Sequence, residues 1–462
     1  SASGEICFSP PPKTPPIPLR AILSAHPMRI LLLAALISTS AAAQTMSTTE
    51  MVAMYKDLHA HPELSHHEER TSAILAKGLR TAGYTVTEHV GVYADGSKAF
   101  GVVGILKNGS GPTVLVRGDM DALPVTEETG VPYASKVTAI TATGATTGVM
   151  HACGHDIHTT VLLATAQSLA QQKSKWHGTL MILGQPSEET IDGAKAMLAD
   201  HLYERFGTPN RIVGLHDTNL LAAGSVGVPS GPAMASSQTV NVTIRGIGGH
   251  GSMPNLGKDP IVIAAAFIQQ IQTIVSRQED PRDPAVVTVG SIHGGTKANI
   301  ISNEVKLELT TRAFSDHARE VILTGIRNAA RGVAVAAGLP EDLYPIVTVL
   351  PNESTSVNFN DEAQAARVKA ALATTLGAAN VTDYRAIMGS EDFGLLGLAT
   401  TPHIPTTFFW LGAMYPDRFA AAQAKGELLP GMHTTRFEPD PEPTLQTGAN
   451  ALTAATLELL KP

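Results

Sequence analysis

Residues 151–158 read His-Ala-Cys-Gly-His-Asp-Ile-His, so three imidazoles, one thiol and one carboxylate fall within eight positions. Nothing else in the chain is as dense in groups able to hold a metal. In an extended segment Cys153 and His155, two apart, point to the same side and face one ion or one pair of ions. Taken singly, a buried Cys is a small apolar core residue and a lone His a satisfied polar one. The assignment therefore depends on ligands supplied from elsewhere.

Three further stretches offer them. The apolar run 113–116 delivers Asp119 and Asp121, two apart, at its end. The run 179–183 ends in Gln185-Pro186-Ser187-Glu188-Glu189, and the run 211–215 ends in His216-Asp217. Short, wholly apolar runs predict strands buried on both faces, and open α/β sheets place ligand sites beyond the carboxyl ends of such strands. Two consecutive glutamates do not point the same way, so one can ligate a metal while the other handles a proton. His433 sits in a loop punctuated by Pro and Gly, where exposure is the default.

The positioning elements follow from periodicity. Met51, Met54, Tyr55 and Leu58 predict a helix from Thr48 that stops at His61-Pro62. A second helix is expected over 68–81, closed by Gly83, with His66, His67, Glu68 and Glu69 forming a solvated turn at its start. Strands are expected over 84–90 and 99–106, and a flexible surface loop over 137–147. Asp156 is expected to cap a helix reaching Gln171, which places Cys153 and His155 just ahead of a helix N-terminus and favours a thiolate. One helix is expected over 193–205.

From Ser236 the texture changes to strand 238–246, turn 248–251, a helix opened by Asp259-Pro260, strands 285–292 and 304–314, helix 316–337 and strand 345–350. That order predicts a ferredoxin-like α+β lobe inserted into the first domain. Helices over 362–376 and 444–460 return to the α/β texture. The expected fold is an α/β catalytic domain, 48–235 and 351–462, with a central sheet flanked by helices and an inserted lid over 236–350.

A chain of 462 residues exceeds one ordinary core, and a bilobed enzyme fits it. The net charge of −8 without a basic block argues against nucleic acid or an anionic membrane as partner and leaves small molecules. Met28-Arg29, the apolar run 30–37 and Ala41-Ala42-Ala43 predict a secretory signal peptide cleaved after Ala43, too short to span a bilayer. Residues 1–27, Pro-rich over 7–18, then read as upstream sequence, and the mature protein as periplasmic or secreted. Cleavage removes Cys7 and leaves Cys153 alone, so no intramolecular disulfide forms. A lone thiol in an oxidising compartment must be buried or bound to metal.

Together the stretches ArgGlyAspMetAspAlaLeuPro (117–124), the motif around Cys153, GlnProSerGluGlu (185–189), GlyLeuHis (214–216) and GlyGlyHisGlySerMetPro (248–254) resemble the M20 metallopeptidase family, in its amidohydrolase branch. The resemblance implies a site for two divalent ions, zinc, manganese, cobalt or nickel, formed by Cys153, His155, Glu189, His216 and His433, with Glu188 as general base. It implies that Asp119 and Asp121 steer a ligand or the base, and that His151 and His158 are neighbours of the site. His250 is implied at the scissile carbonyl, often from the partner subunit of a homodimer joined through the lid. Asn299, Arg312 and the backbone of Gly389 are implied at the substrate carboxylate. The implied reaction is hydrolysis of N-acyl amino acids, with an exported dipeptidase or carboxypeptidase on short peptides, or a non-catalytic periplasmic binding protein, as alternatives. Ser187, Thr190-Ile191-Asp192, Asp217 and the 137–147 loop depart from the family pattern and bear on substrate choice.

Overall fold

The computed structural model describes residues 45–141 and 144–462; the expected leader and upstream segment, 1–43, lie outside the described residues. Eight strands form one mixed sheet in the order Thr85–Val92, Lys98–Asn108, Gly178–Gln185, Thr113–Asp119, Arg211–Ala222, Thr406–Met414, Val226–Val228, Val381–Asp383. The third to the sixth of these run parallel, in register from Thr113 beside Thr179 to Trp410 beside His216. Alternation along them divides the core in two. Val114, Val116, Leu180, Ile182, Val213 and Phe409 join one helix layer, while Leu115, Met181, Leu183, Ile212, Phe408 and Trp410 join the other.

Helices Thr48–Ala60, Glu69–Thr81, His155–Gln171, Glu362–Leu376 and Pro441–Leu459 cover the first face. Helix His155–Gln171 is buried nearly all round, as a helix between sheet and helices must be, yet its first turn carries His155, Asp156 and His158 inside. Each apolar side chain that leaves water here contributes about 1.5–3 kcal/mol. The buried polar turn forgoes that gain, which marks it as functional.

Residues 236–355 carry a second, antiparallel sheet in the order Ala285–Gly294, Glu304–Ala313, Ser236–Arg245, Ile346–Thr355. Helices Pro260–Arg277 and Asp316–Ala336 pack on it through Phe267, Ile271, Ile322 and Ile326. The strand and helix order is the expected ferredoxin-like one.

Several local expectations are corrected. Residues 138–140 and 146–148 pair as an antiparallel hairpin, where a loop was expected. The single helix over 193–205 is two, Gly193–Ala199 and Leu202–Phe206, broken where His201 turns left-handed at φ 59°. Asp156 is not the N-cap: Gly154 stands there, and the Asp156 carboxylate, inside the first turn, accepts from the Ile157 amide at 2.9 Å and meets His59 Nδ1 at 2.7 Å. The turn before Glu69–Thr81 is not solvated throughout, because Glu68 is fully buried and accepts from the Ser187 amide at 2.8 Å, although His67 and Glu69 are exposed.

Candidate metal centre

Cys153 and His155 converge through the expected turn at a helix N-terminus, with His155 already the first helical residue. Gly154 between them is left-handed, φ +77°, and a Cβ on it would lie 2.2 Å from Asp217 Oδ1, so only glycine fits. Met150 and Ala152 anchor the turn among Met414 and Phe437. His216 lies inside strand Arg211–Ala222 and not at its end; its Nε2 comes within 3.5 Å of the Cys153 sulfur while the Asp217 carbonyl holds its Nδ1 at 2.8 Å. The His433 loop is pinned by its own amide on the Ala152 carbonyl, 2.8 Å, which sets His433 Nε2 3.1 Å from the same sulfur. His433 is exposed, as a loop His is by default, but its ring is aimed inward.

The glutamates divide. Glu189 Oε2 lies 3.5 Å from His433 Nε2, and Glu189 Oε1 lies 3.9 Å from His155 Nε2. Glu188 Oε2 approaches the same His155 nitrogen at 3.9 Å. Asp121 ties the set together: it holds His155 Nδ1 at 3.2 Å and accepts from the Glu189 amide at 3.0 Å and from Ser65 at 2.7 Å. His158 is clamped between Asp119 and Asp217 at 2.5 and 3.0 Å. Burial pushes Glu189 up to about 7, with His155 opposing the rise and Asp121 adding to it. Burial holds Glu188 well above the usual carboxylate range, and Glu391 and Glu189 add to that.

These residues fit a divalent cation. His155 Nε2 and Glu189 Oε1 are buried with no hydrogen-bond partner among the described residues, and they belong to overlapping sets of close potential ligands: Cys153 with His155 and His216, Cys153 with Glu189 and His433, and His155 with Glu188 and Glu189. A set of thiol, imidazoles and carboxylates suits zinc and the borderline metals, and the bonds behind His155 and His216 fix which nitrogen is offered.

Under this floor lies a cluster that sequence reasoning missed. Arg117, fully buried, meets Asp119, Glu391 at 2.7 Å, Asp392 at 3.2 Å and Gln185 at 2.9 Å. Burial and Glu391 push Asp392 up to about 8 against the pull of Arg117. A buried His59 between Asp156 and Glu127 was also unforeseen; burial disfavours its charged form, but the two carboxylates outweigh that and raise it to about 9. The one signal for the first cluster was the acidic pair Glu391-Asp392 in an otherwise apolar stretch; for His59 there was none.

Above the floor opens a cleft of about 730 Å³ lined by Cys153, Glu188, His216, Arg312, Gly389 and His433 among others. Arg312 donates to the Ser390 hydroxyl beside Gly389. His250 and Asn299 do not line the cleft. They sit together at the exposed tip of the second sheet, where Gly249–His250 pairs with Ile300–Ile301 and Ser252 holds His250 Nδ1 at 2.8 Å.

The model of peptidase family M20/M25/M40 matches residues 115–428. Hippurate hydrolase of Campylobacter jejuni is 36% identical over 73% of this chain and 82% of its own length. N-acetylcysteine deacetylase of Bacillus subtilis is 33% identical over 79% and 88%. A solved Bacillus subtilis structure, described as a dinuclear metal binding peptidase from the M20 family, superposes with a TM-score of 0.70 at 27% identity, over 90% of this chain and 98% of that one. Family model, relatives and the buried thiol, imidazole and carboxylate cage agree: the chain belongs to peptidase family M20/M25/M40 and is a metallohydrolase of linear amides.

Proposed function

We propose that this protein hydrolyses N-acyl amino acids, using two divalent ions held by Cys153, His155, Glu189, His216 and His433. The observation that carries the reading is the pair of adjacent glutamates lining the cleft: both come within 3.9 Å of His155 Nε2, while Glu189 also reaches His433 at 3.5 Å. Ions in this cage supply Lewis acidity, acidifying water and polarising a carbonyl. Glu188 takes the proton from the attacking water and returns it to the leaving nitrogen. Asp121 and Asp119 keep His155 and His158 oriented. Arg312, steadied by Ser390, and the Gly389 backbone hold the substrate carboxylate at the far wall.

His250 completes the site from a second copy of the chain. This is supported by its exposure at the lid tip and by apolar side chains left exposed on the segments beside it, Ile247, Leu256 and Ile300. The basic, apolar and small-residue segments of 28–43 support export.

The test is hydrolysis of hippurate, N-acetyl amino acids and dipeptides by manganese- or zinc-loaded protein, read as released amine. Turnover of acyl amino acids at least tenfold above dipeptides is expected. Preference for dipeptides would reassign the substrate, and tight binding without turnover would favour a binding protein.

A further inference from the structure

Glu188 and Glu189 are neighbours in the chain and diverge, as adjacent side chains do, but the direction each takes is set by the backbone just before them, and that backbone is bent. Ser187 supplies the bend: it is left-handed at φ 52°, an uncommon conformation for a residue with a side chain, and it is fully buried. Its hydroxyl is saturated. It donates to Glu68 Oε1 at 3.0 Å, accepts from the His66 amide at 2.9 Å, and, its own proton being committed, accepts from the Tyr93 hydroxyl at 2.6 Å. The Ser187 amide donates to the same Glu68 oxygen at 2.8 Å. The far side of the bend is fastened too, by the Gly193 amide on the Ser187 carbonyl at 3.0 Å and the Ile191 amide on the Glu188 carbonyl at 2.7 Å. His66 stacks on Tyr93, centroids 4.0 Å apart, and reaches Asp192 at 3.0 Å, so one residue clamps both ends of the segment 187–192.

We infer that Ser187 is a positioning residue: its hydroxyl, held by Tyr93, Glu68 and His66, locks the kink that sends Glu188 to the substrate water and Glu189 to the metal. The inference rests on the proposed roles of the two glutamates. Among the described residues Tyr93 makes no hydrogen bond to either glutamate and is held on Ser187, so its hydroxyl can be removed without taking a bond from the cage.

The experiment compares Tyr93→Phe, Ser187→Ala and Ser187→Gly with the parent. It reads thermal midpoint, Mn²⁺ affinity by chelator competition, and kcat and KM on an N-acyl amino acid. Tyr93→Phe is expected to fold, to lose about tenfold in kcat or in Mn²⁺ affinity, the usual effect of a residue behind a ligand, and to keep KM within about twofold. Ser187→Gly relieves the left-handed strain yet lacks the hydroxyl; the inference expects it to lose as much as Ser187→Ala. Parent-like kcat and Mn²⁺ affinity in Tyr93→Phe and Ser187→Gly would overturn it. If the parent cleaves no acyl amino acid or dipeptide, the proposed function fails by itself, and the Mn²⁺ affinities alone decide this inference.

Discussion

The floor of the cleft and the lid above it solve opposite problems. At the floor, charged groups are buried and answered from the same chain: Asp121 by His155 and Ser65, Asp119 by Arg117 and His158. In the second sheet the inner face is apolar, Val240, Leu307 and Leu309 against Phe267 and Ile326, while the tip carrying His250 and Asn299 stays exposed beside Ile300 and Leu256. The floor is organised before any partner arrives. The tip of the lid is exposed, and only on the proposed reading does it meet a second copy of the chain.

The largest effect that would break this contrast is at Glu188. Glu188→Gln is expected to lower kcat by about 10³–10⁴-fold, the upper end for a general base, while elemental analysis finds parent-level metal. Next comes the buried ion cluster. Arg117→Met leaves Asp119, Glu391 and Asp392 without their cation, and denaturant unfolding should show a loss of about 3–5 kcal/mol, with the lid core unaffected. His250→Ala should lower kcat about 10²-fold with no change in stability. Mixed with Glu188→Gln protein, it should regain activity, because one mixed dimer site pairs an intact floor with an intact lid tip. No recovery from a confirmed mixed dimer would place His250 in its own chain's cleft.

The smallest effect is a pH dependence at His59. Its folded value of about 9 lies above the ordinary 6.5. Its contribution to stability is therefore complete below pH 6.5 and is lost as pH rises through 9. The difference in thermal midpoint between the parent and His59→Gln should shrink by a few degrees, about 2–4 °C per kcal/mol, from pH 6.5 to 9.5.

The sequence showed the floor where chemistry and periodicity coincide. Runs such as 113–116 and 179–183 are apolar without interruption because both sheet faces are covered, so the ligands at their ends stood out. The ferredoxin-like lobe was legible because its helices carry long apolar stripes. Pairings across the chain were not. Arg117 meets Glu391 across 274 positions, and a run that reads as strand followed by RGD gives no hint of it. Glu68 looked like one of four polar residues at a helix entrance because burial of one side chain in a polar run has no period. The turn ahead of the helix was legible, but the need for glycine at 154 was not, since only the position of Asp217, far on in the chain, forbids a side chain there.

On the proposed reading, turnover requires two ions held by this chain's own floor. The direct measurement is elemental analysis with paired activity on protein stripped by chelator and reloaded with Mn²⁺ or Zn²⁺. Close to two ions per chain are expected, as in the dinuclear relative, with hydrolysis of N-acyl amino acids returning as they bind. Full turnover by the stripped protein, or no ion retained by a correctly folded parent, would contradict it.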